Sequence, residues 1–426
     1  MNVADSQRLA SSLEKLGYVY SSKIDSADVI ILNTCVVRQS AENKAIGRLS
    51  SLKPLKEKNP DLVINLMGCL IGIQGNEKIR NRFPWVDVFS PPSDPRPLLD
   101  FLSQETGKAD AEIWRQDIDG ILDEEYTLPL NFQGKLISTN LPIVLGCSHA
   151  CTYCIIPHKR GREISRPSNE ILKEAQKLVS QGVREIVLLG QIVDRYGLDI
   201  EGGIHLHELL FELSKIEKLH RIRFLTSHPN WMSDNLIDAV ASLPKVMPHI
   251  EVPIQAGDDD ILLAMRRGYT VEAYHKLIQK LRERIPGVSI GTDIIVGFSG
   301  ETESQFMNTF DLLTELKMDV AHLARYSPRT GTFSARFLED NVTDQEKKHR
   351  FRMLEDLQEK ISTEINQKYL DNQTKVLFEG KSKTRWRGRT TTNKLVFVES
   401  QESLLGQERD IRITWTGPWS MLGELS

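Results

Sequence analysis

Between Gly146 and Pro167 the chain reads Gly-Cys-Ser-His-Ala-Cys-Thr-Tyr-Cys-Ile-Ile-Pro-His-Lys-Arg-Gly-Arg-Glu-Ile-Ser-Arg-Pro, setting Cys147, Cys151 and Cys154 in a Cys-x3-Cys-x2-Cys loop. Three thiolates at that spacing can hold three irons of a [4Fe–4S] cube, because so short a loop folds back on itself within a few ångströms. The fourth iron is then left open to a small molecule. Zinc calls for a fourth nitrogen or sulfur ligand, for which His149 and His158 are the nearby candidates. Three unligated buried thiols are the plainest alternative. A cluster ranks ahead of both.

The composition bounds the setting. With 426 residues the chain is long enough for two or three domains. A hydrophobic content of 40% and a charged content of 26% describe an ordinary soluble globular protein. No run of about 18 uninterrupted apolar residues occurs, so no membrane span is expected. The opening Met1-Asn2-Val3-Ala4-Asp5 has neither the basic start nor the apolar core of a signal peptide. Five cysteines, three of them in one loop, suit a reducing cytoplasm better than a disulfide framework. The net charge of −4 conceals an asymmetry, because Ile365 to Ser426 holds ten Lys/Arg against seven Asp/Glu. A basic tail on an acidic body points any polyanion to the C-terminal end.

Residues 1 to about 125 alternate helix-like and strand-like segments. Leu9, Leu13 and Leu16 recur at helical spacing behind Asp5 and Ser6 and stop at Gly17. Val29–Cys35, Leu62–Cys69 and Val86–Phe89 read as buried strands, with a helix from Ala41 to Lys53 stopped at Pro54. The alternation predicts a doubly wound parallel sheet whose first strand is missing, since the domain opens on a helix. Cys35 and Cys69 end two of its strands, so both thiols should share one sheet edge. Pro91 to Gly134, with an acidic run from Asp117 to Glu125, reads as a surface helix and a linker. From Leu141 to about Pro328 a regular βα pattern predicts an open barrel of about six units, its active site on the C-terminal rim of the strands. A charged helix, Asp344 to Lys368, leads to a tail of short β-like segments that suggests a small closed barrel.

Several strand ends carry ligand-like groups: Gly190-Gln191, Thr226-Ser227-His228-Pro229, Gln255-Ala-Gly257 and Gly291-Thr-Asp293. Glycines admit a ligand close to backbone, and amides and hydroxyls can bond a ribose or a carboxylate. Each is equally well ordinary turn chemistry; together they sit where barrel ligands sit. Arg166 can pair with a carboxylate. Lys159, Arg160 and Arg162 can contact phosphates or form a solvated basic turn, and His228 is a base or a structural strand cap. In the tail, Lys381, Lys383, Arg385, Arg387, Arg389 and Lys394 surround Trp386 with almost no acids between them. Alternating bases along a strand line one face, and the Trp can stack on a nucleobase. A charged surface strand is the alternative.

On these residues the chain resembles the radical S-adenosylmethionine (SAM) methylthiotransferase family over nearly its full length. Tyr153, before the last cysteine of the loop, also fits that family. The resemblance implies a methylthiotransferase N-terminal domain at 1–125, a partial (βα)6 radical SAM barrel at 133–365 and a TRAM-type RNA-binding β-barrel at 366–426. It implies that Cys147, Cys151 and Cys154 bind the cluster that cleaves SAM, with Tyr153, Arg166, Gly190, Gln191, Ser227, Gln255 and Asp293 around the cofactor. Cys35, in Asn-Thr-Cys-Val-Val-Arg, and Cys69, in Met-Gly-Cys, match two of three ligands of a second [4Fe–4S] cluster. Within the family the chain is most similar to the MiaB type, through Leu189-Gly-Gln191, Arg325-Tyr-Ser-Pro-Arg-Thr-Gly-Thr332 and Gly388-Arg-Thr-Thr-Thr-Asn-Lys-Leu-Val-Phe397. That type adds a methylthio group at C2 of N6-(dimethylallyl)adenosine beside the tRNA anticodon. One SAM methylates a sulfur on the second cluster and another is cleaved to a 5′-deoxyadenosyl radical.

The implied partners are the tRNA anticodon stem-loop, an electron donor and a sulfur source. Relatives that act on threonylcarbamoyladenosine or on a ribosomal protein share the cysteines. A non-catalytic iron–sulfur RNA-binding protein is the reading from another class. Three positions depart from the family: Ile192 for an Asn, Ser299 for a Pro, and the opening Met1-Asn2 where the family has Cys-Gln-Met-Asn. The third cysteine and the first strand are accordingly expected upstream.

Overall fold

The structure is a computed structural model that describes residues 1–75, 77–105 and 127–425. It forms two compact units. One holds Met1–Gln133 with Leu145–His149 and Cys154–Ile164; the other holds Gly134–Val144, Ala150–Tyr153 and Ser165–Ser426. The acidic run from Asp117 to Glu125 lies outside the described residues.

The first unit alternates α1 (Asn2–Lys15), β1 (Val29–Thr34), α2 (Gln39–Lys58), β2 (Val63–Gly68), α3 (Glu77–Arg82), β3 (Val88–Ser90) and α4 (Arg96–Glu105). The strands pair in parallel in the order β1-β2-β3. Both faces are covered, as a parallel sheet requires. Ile64 and Leu66 pack with Leu49 and Leu52 of α2 and Phe83 beyond α3, while Met67 and Val88 pack with Leu9 and Leu13 of α1 and Leu98 and Leu99 of α4. β1 stands at the edge, half-buried where β2 is buried. One expectation is corrected: α2 runs through Pro54 to Lys58. Leu52 and Leu55 on either side of the exposed Pro54 pack on the core. That burial outweighs the lost N–H of a proline.

The cysteine loop follows β4 (Ser138–Pro142) and β5 (Val144–Leu145), enters a single helical turn, α5 (Ile156–Arg160), and closes at β6 (Ile164–Ser165), which pairs with β5. Then come α6 (Ser168–Ser180), β7 (Glu185–Leu189), α7 (Leu206–Ser214), β8 (Arg221–Leu225), α8 (Asp234–Ser242), β9 (His249–Glu251), α9 (Asp259–Ala264), α10 (Val271–Arg284), β10 (Ser289–Val296), α11 (Glu303–Leu316), β11 (Val320–Arg325), α12 (Phe333–Phe337) and α13 (Asp344–Gln367). β4-β7-β8 and β9-β10-β11 are parallel sheets, joined by a bridge from Ile222 to Val246. This is the partial barrel of six strands. β10 is longer than its pattern suggests and takes Gly291 and Asp293 into the strand rather than into a loop at its end. A Cβ on Gly291 would come within 3.0 Å of Glu251 Cγ, so the glycine makes room for its neighbour on β9.

The tail closes into a five-stranded barrel, β12 (Gln373–Ser382), β13 (Arg385–Thr390), β14 (Leu395–Val398), β15 (Glu408–Thr416) and β16 (Met421–Leu425), in the order β12-β13-β14-β16-β15. Val376, Phe378, Val396, Ile411 and Met421 fill it. It is fixed to the N-terminal end of β8. Arg221 donates from Nε to Glu408 Oε1 at 2.7 Å and from Nη1 to Arg389 O at 2.7 Å. Arg223 donates to Thr390 O and Thr391 O, both at 2.8 Å, and from Nε to Glu185 Oε2 at 2.9 Å. The turn between β13 and β14 adds a bond between Asn393 and His249, and Lys394 pairs with Asp319 at 2.9 Å.

Candidate active site

Gly146 admits the chain into the cysteine loop. Its φ is +67°, and a Cβ there would stand 2.0 Å from Arg162 O. Cys147 is buried, and Cys151 and Cys154 are half-buried. The His149 amide donates to Cys147 Sγ at 3.4 Å, and Arg267 donates from Nη1 to Cys151 Sγ at 3.2 Å. N–H donors at sulfur stabilise thiolates, the form that binds iron. Among the described residues no three His, Cys, Asp or Glu side chains stand together as ligands of one metal ion. The thiols of a cube ligate separate irons, and the thiols of Cys147, Cys151 and Cys154 would supply three such ligands.

Of the expected cofactor residues, Gly190, Gln191, Ser227 and Gln255 follow strand ends, while Asp293 lies within β10. Thr226 Oγ1 donates to Gly190 O at 2.7 Å, tying the end of β8 to the end of β7. Gly190 sits in tight packing, with Val193 Cα 3.0 Å from an ideal Cβ. Gln191 is half-buried beside it. The Ser227 N–H donates to Glu251 O at 3.0 Å, and Ser227 Oγ, buried, has no hydrogen-bond partner among the described residues. Gln255 donates its N–H to Asp293 O at 2.9 Å. Thr226 and Gln255 have φ of +66° and +82°, strain that side chains adopt where a site demands it. A buried hydroxyl without a partner among glycine, amide and carboxylate groups fits a polar ligand such as SAM. The Tyr153 ring meets Phe298 edge-on at 6.5 Å.

Arg166 pairs with a carboxylate, and that carboxylate belongs to the chain itself. It donates to Pro142 O at 2.8 Å and pairs with Glu174 of α6 at 2.7 Å, bracing the barrel with its own carboxylate. His228 is a cap, its Nδ1 accepting from the Asn230 N–H at 3.3 Å.

The two remaining thiols do share one edge. Cys35 follows β1 and Cys69 follows β2, where Thr34 pairs with Gly68 and the Cys69 N–H donates to Thr34 O at 3.0 Å. Burial pushes the Cys69 thiol up, against the pull of the nearby Arg160 guanidinium. Arg160 is thus corrected from a phosphate ligand to an internal group. It bonds Asn2 Oδ1 at 2.8 Å and Ser93 Oγ at 3.3 Å, and it pairs with the buried Asp5.

On the small barrel, β13 alternates as expected: Arg385 and Arg387 are exposed and Arg389 is half-buried, with Trp386, Gly388 and Thr390 buried between them. Lys381 and Lys383 are exposed nearby. Two residues are corrected. Trp386 is only 6% exposed, packs in the barrel core and has the Lys381 ammonium over its ring, so no base can stack on it. Lys394 is buried against Asp319. Sequence reading missed Trp415 and Trp419, exposed at 50% and 61% at the turn joining β15 and β16. Isolated tryptophans among Thr, Gly and Pro give no period that separates an exposed ring from a core one.

Residues 141–313 match the radical SAM superfamily, and residues 1–90 match the uncharacterized protein family UPF0004. The chain is 44% identical over its whole length to the tRNA-2-methylthio-N(6)-dimethylallyladenosine synthase of Roseiflexus sp. (strain RS-1), covering 87% of that protein. It is 44% identical to the synthase of the same name from Dehalococcoides mccartyi (strain ATCC BAA-2266 / KCTC 15142 / 195), covering 96% of it. The chain belongs to the tRNA-2-methylthio-N(6)-dimethylallyladenosine synthase family. Its fold is similar to that of the radical SAM methyltransferase TsrM from Kitasatospora setae, with a TM-score of 0.56 at 14% identity over 76% of this chain and 72% of that one. Among the described residues no helix is long and apolar enough to cross a membrane.

Proposed function

We infer that this chain is a radical SAM tRNA methylthiotransferase that acts at C2 of N6-(dimethylallyl)adenosine beside the anticodon. The observation that carries the reading is full-length identity to synthases of that name, in a chain whose three loop cysteines and strand-end groups lie on a partial barrel. Cys147, Cys151 and Cys154 would hold the first [4Fe–4S] cluster; when bound, it supplies the electron for reductive cleavage of SAM. Gly190, Gln191, Ser227, Gln255 and Asp293 would bind SAM, and Tyr153 would wall the site. Cys35 and Cys69 are the thiols this sequence supplies to a second cluster, which would carry the sulfur.

The barrel at 366–426 would act as the RNA-binding domain beside catalytic parts at 1–125 and 133–365. Lys381, Lys383, Arg385, Arg387 and Arg389 would meet phosphates of the anticodon stem-loop, whose unpaired bases can be splayed out without breaking a duplex. An electron donor and a sulfur source complete the partners. The reduced thiols favour a cytoplasmic setting.

The test is anaerobic reconstitution with iron and sulfide, then incubation with reductant, SAM and an anticodon stem-loop RNA bearing the dimethylallyl group. The expected result is release of 5′-deoxyadenosine together with methylthiolated RNA. Cleavage of SAM that leaves the RNA unchanged while a threonylcarbamoyl RNA is modified would reject the substrate. No cleavage by a fully loaded chain would reject the class.

A further inference from the structure

The turn that ends α9 reads Met265-Arg266-Arg267-Gly268-Tyr269, far in sequence from the cysteine loop. The structure joins the two. Thr152, which stands between Cys151 and Cys154, is buried; its N–H donates to Met265 O at 3.1 Å and its hydroxyl to Ala264 O at 2.8 Å. From the other side, Ser334 donates both its N–H and its hydroxyl to Thr152 O. Arg266 turns the chain at φ +56°. Arg267 is thereby brought beside Cys151 and donates from Nη1 to its sulfur at 3.2 Å.

The rest of the Arg267 guanidinium is fixed. Nε donates to the Tyr269 hydroxyl at 2.9 Å and Nη2 to Pro253 O at 3.2 Å, while the Tyr269 hydroxyl lies 2.8 Å from Ile254 O. The side chain is 5% exposed, so water screens its charge little. A buried cation held in one orientation with an N–H on a thiol sulfur does more than fill space. An iron–sulfur cluster gains negative charge when it is reduced, and hydrogen bonds to its sulfurs and nearby charge set its potential.

We propose that Arg267 is a positioning residue for the loop cluster: through its N–H···S bond to Cys151 and its buried charge it favours the reduced cluster and raises the reduction potential. The proposal rests on the reading that Cys147, Cys151 and Cys154 hold that cluster. It assigns the turn a part in electron uptake, distinct from binding SAM or RNA.

The test uses the full chain with Cys35 and Cys69 replaced by serine, so that only the loop supplies thiols. After anaerobic reconstitution, a redox titration is followed by low-temperature electron paramagnetic resonance. R267M removes the charge and every donor at similar length. R267Q removes the charge and keeps a neutral amide, and R267K keeps the charge. Y269F removes one brace and leaves the bond to sulfur. R267M and R267Q are expected to shift the one-electron equilibrium about tenfold toward the oxidised cluster, about 59 mV lower. R267K and Y269F are expected to stay within about threefold of the parent. Unchanged potentials in R267M and R267Q with full iron content overturn the proposal, and so does an R267K potential as low as that of R267M. Should R267M fail to take up iron, R267Q decides. Failure of the parent itself to bind iron and sulfide rejects the cluster reading and with it the proposal, whereas a loaded parent whose R267M and R267Q forms keep its potential rejects the role of Arg267 alone.

Discussion

Gly146 and Gly17 both have positive φ, yet they should respond differently to a methyl group. A Cβ on Gly17 meets nothing within 4 Å, whereas one on Gly146 stands 2.0 Å from Arg162 O. G17A should therefore cost only the backbone term of about 1 kcal/mol. G146A adds a collision with main chain that no side chain can relieve, so thermal melting should show a larger loss and iron uptake should fall. His249 gives a pH dependence. Burial lowers its pKa, against the pull of Glu251. The unfolded chain then takes up a proton below about pH 6.5 that the folded chain resists. The contribution is whole above that pH and is lost as the pH falls below it. Urea midpoints should drop from pH 7 to pH 5.5, and H249Q should flatten the dependence. The three loop cysteines were legible because their spacing is itself the chemistry. Arg267 and Arg160 were not, because an arginine is brought beside a sulfur only when distant segments meet.

The strands and helices were mostly legible from periodicity, and the failures lie where packing overrode local preference. Pro54 fails to stop α2 because Leu52 and Leu55 are both wanted by the core. Lys394 reads as a surface base until Asp319 is placed beside it. Trp386 reads as a stacking platform until the strand's alternation points it inward. β8 shows the same principle with charge: Arg221 and Arg223 are both buried struts for the small barrel. Removing one of them leaves buried partners unpaired. R223A strands Glu185, itself 2% exposed, and should cost about 3–5 kcal/mol in urea unfolding. The double substitution R223M/E185L removes both charges and should recover part of that loss.

For the molecule as a whole, the small barrel carries the exposed arginines and is fixed by its β13–β14 turn to the foot of the partial barrel. Held so, it keeps Arg385 and Arg387 at a constant position relative to the strand ends of the same unit. Replacing Arg385 and Arg387 by alanine should weaken binding of the anticodon stem-loop and reduce the slope of log K against log[salt] by about 0.7–0.9 for each phosphate no longer neutralised. W386A should instead lower the melting temperature, because its ring is core; a W386F chain that binds RNA with the parent's affinity would agree with that. The closed barrel was legible from its turns, but its attachment was not, since nothing in the tail's own pattern names Arg223.

The most direct test of the central claim is mass spectrometry of tRNA nucleosides from a strain lacking this chain and from the same strain with the chain restored. The expected result is loss of 2-methylthio-N6-(dimethylallyl)adenosine with accumulation of N6-(dimethylallyl)adenosine, reversed by the intact chain and not by one with Cys151 replaced by alanine. Undiminished 2-methylthio nucleoside in the deletion strain would contradict it.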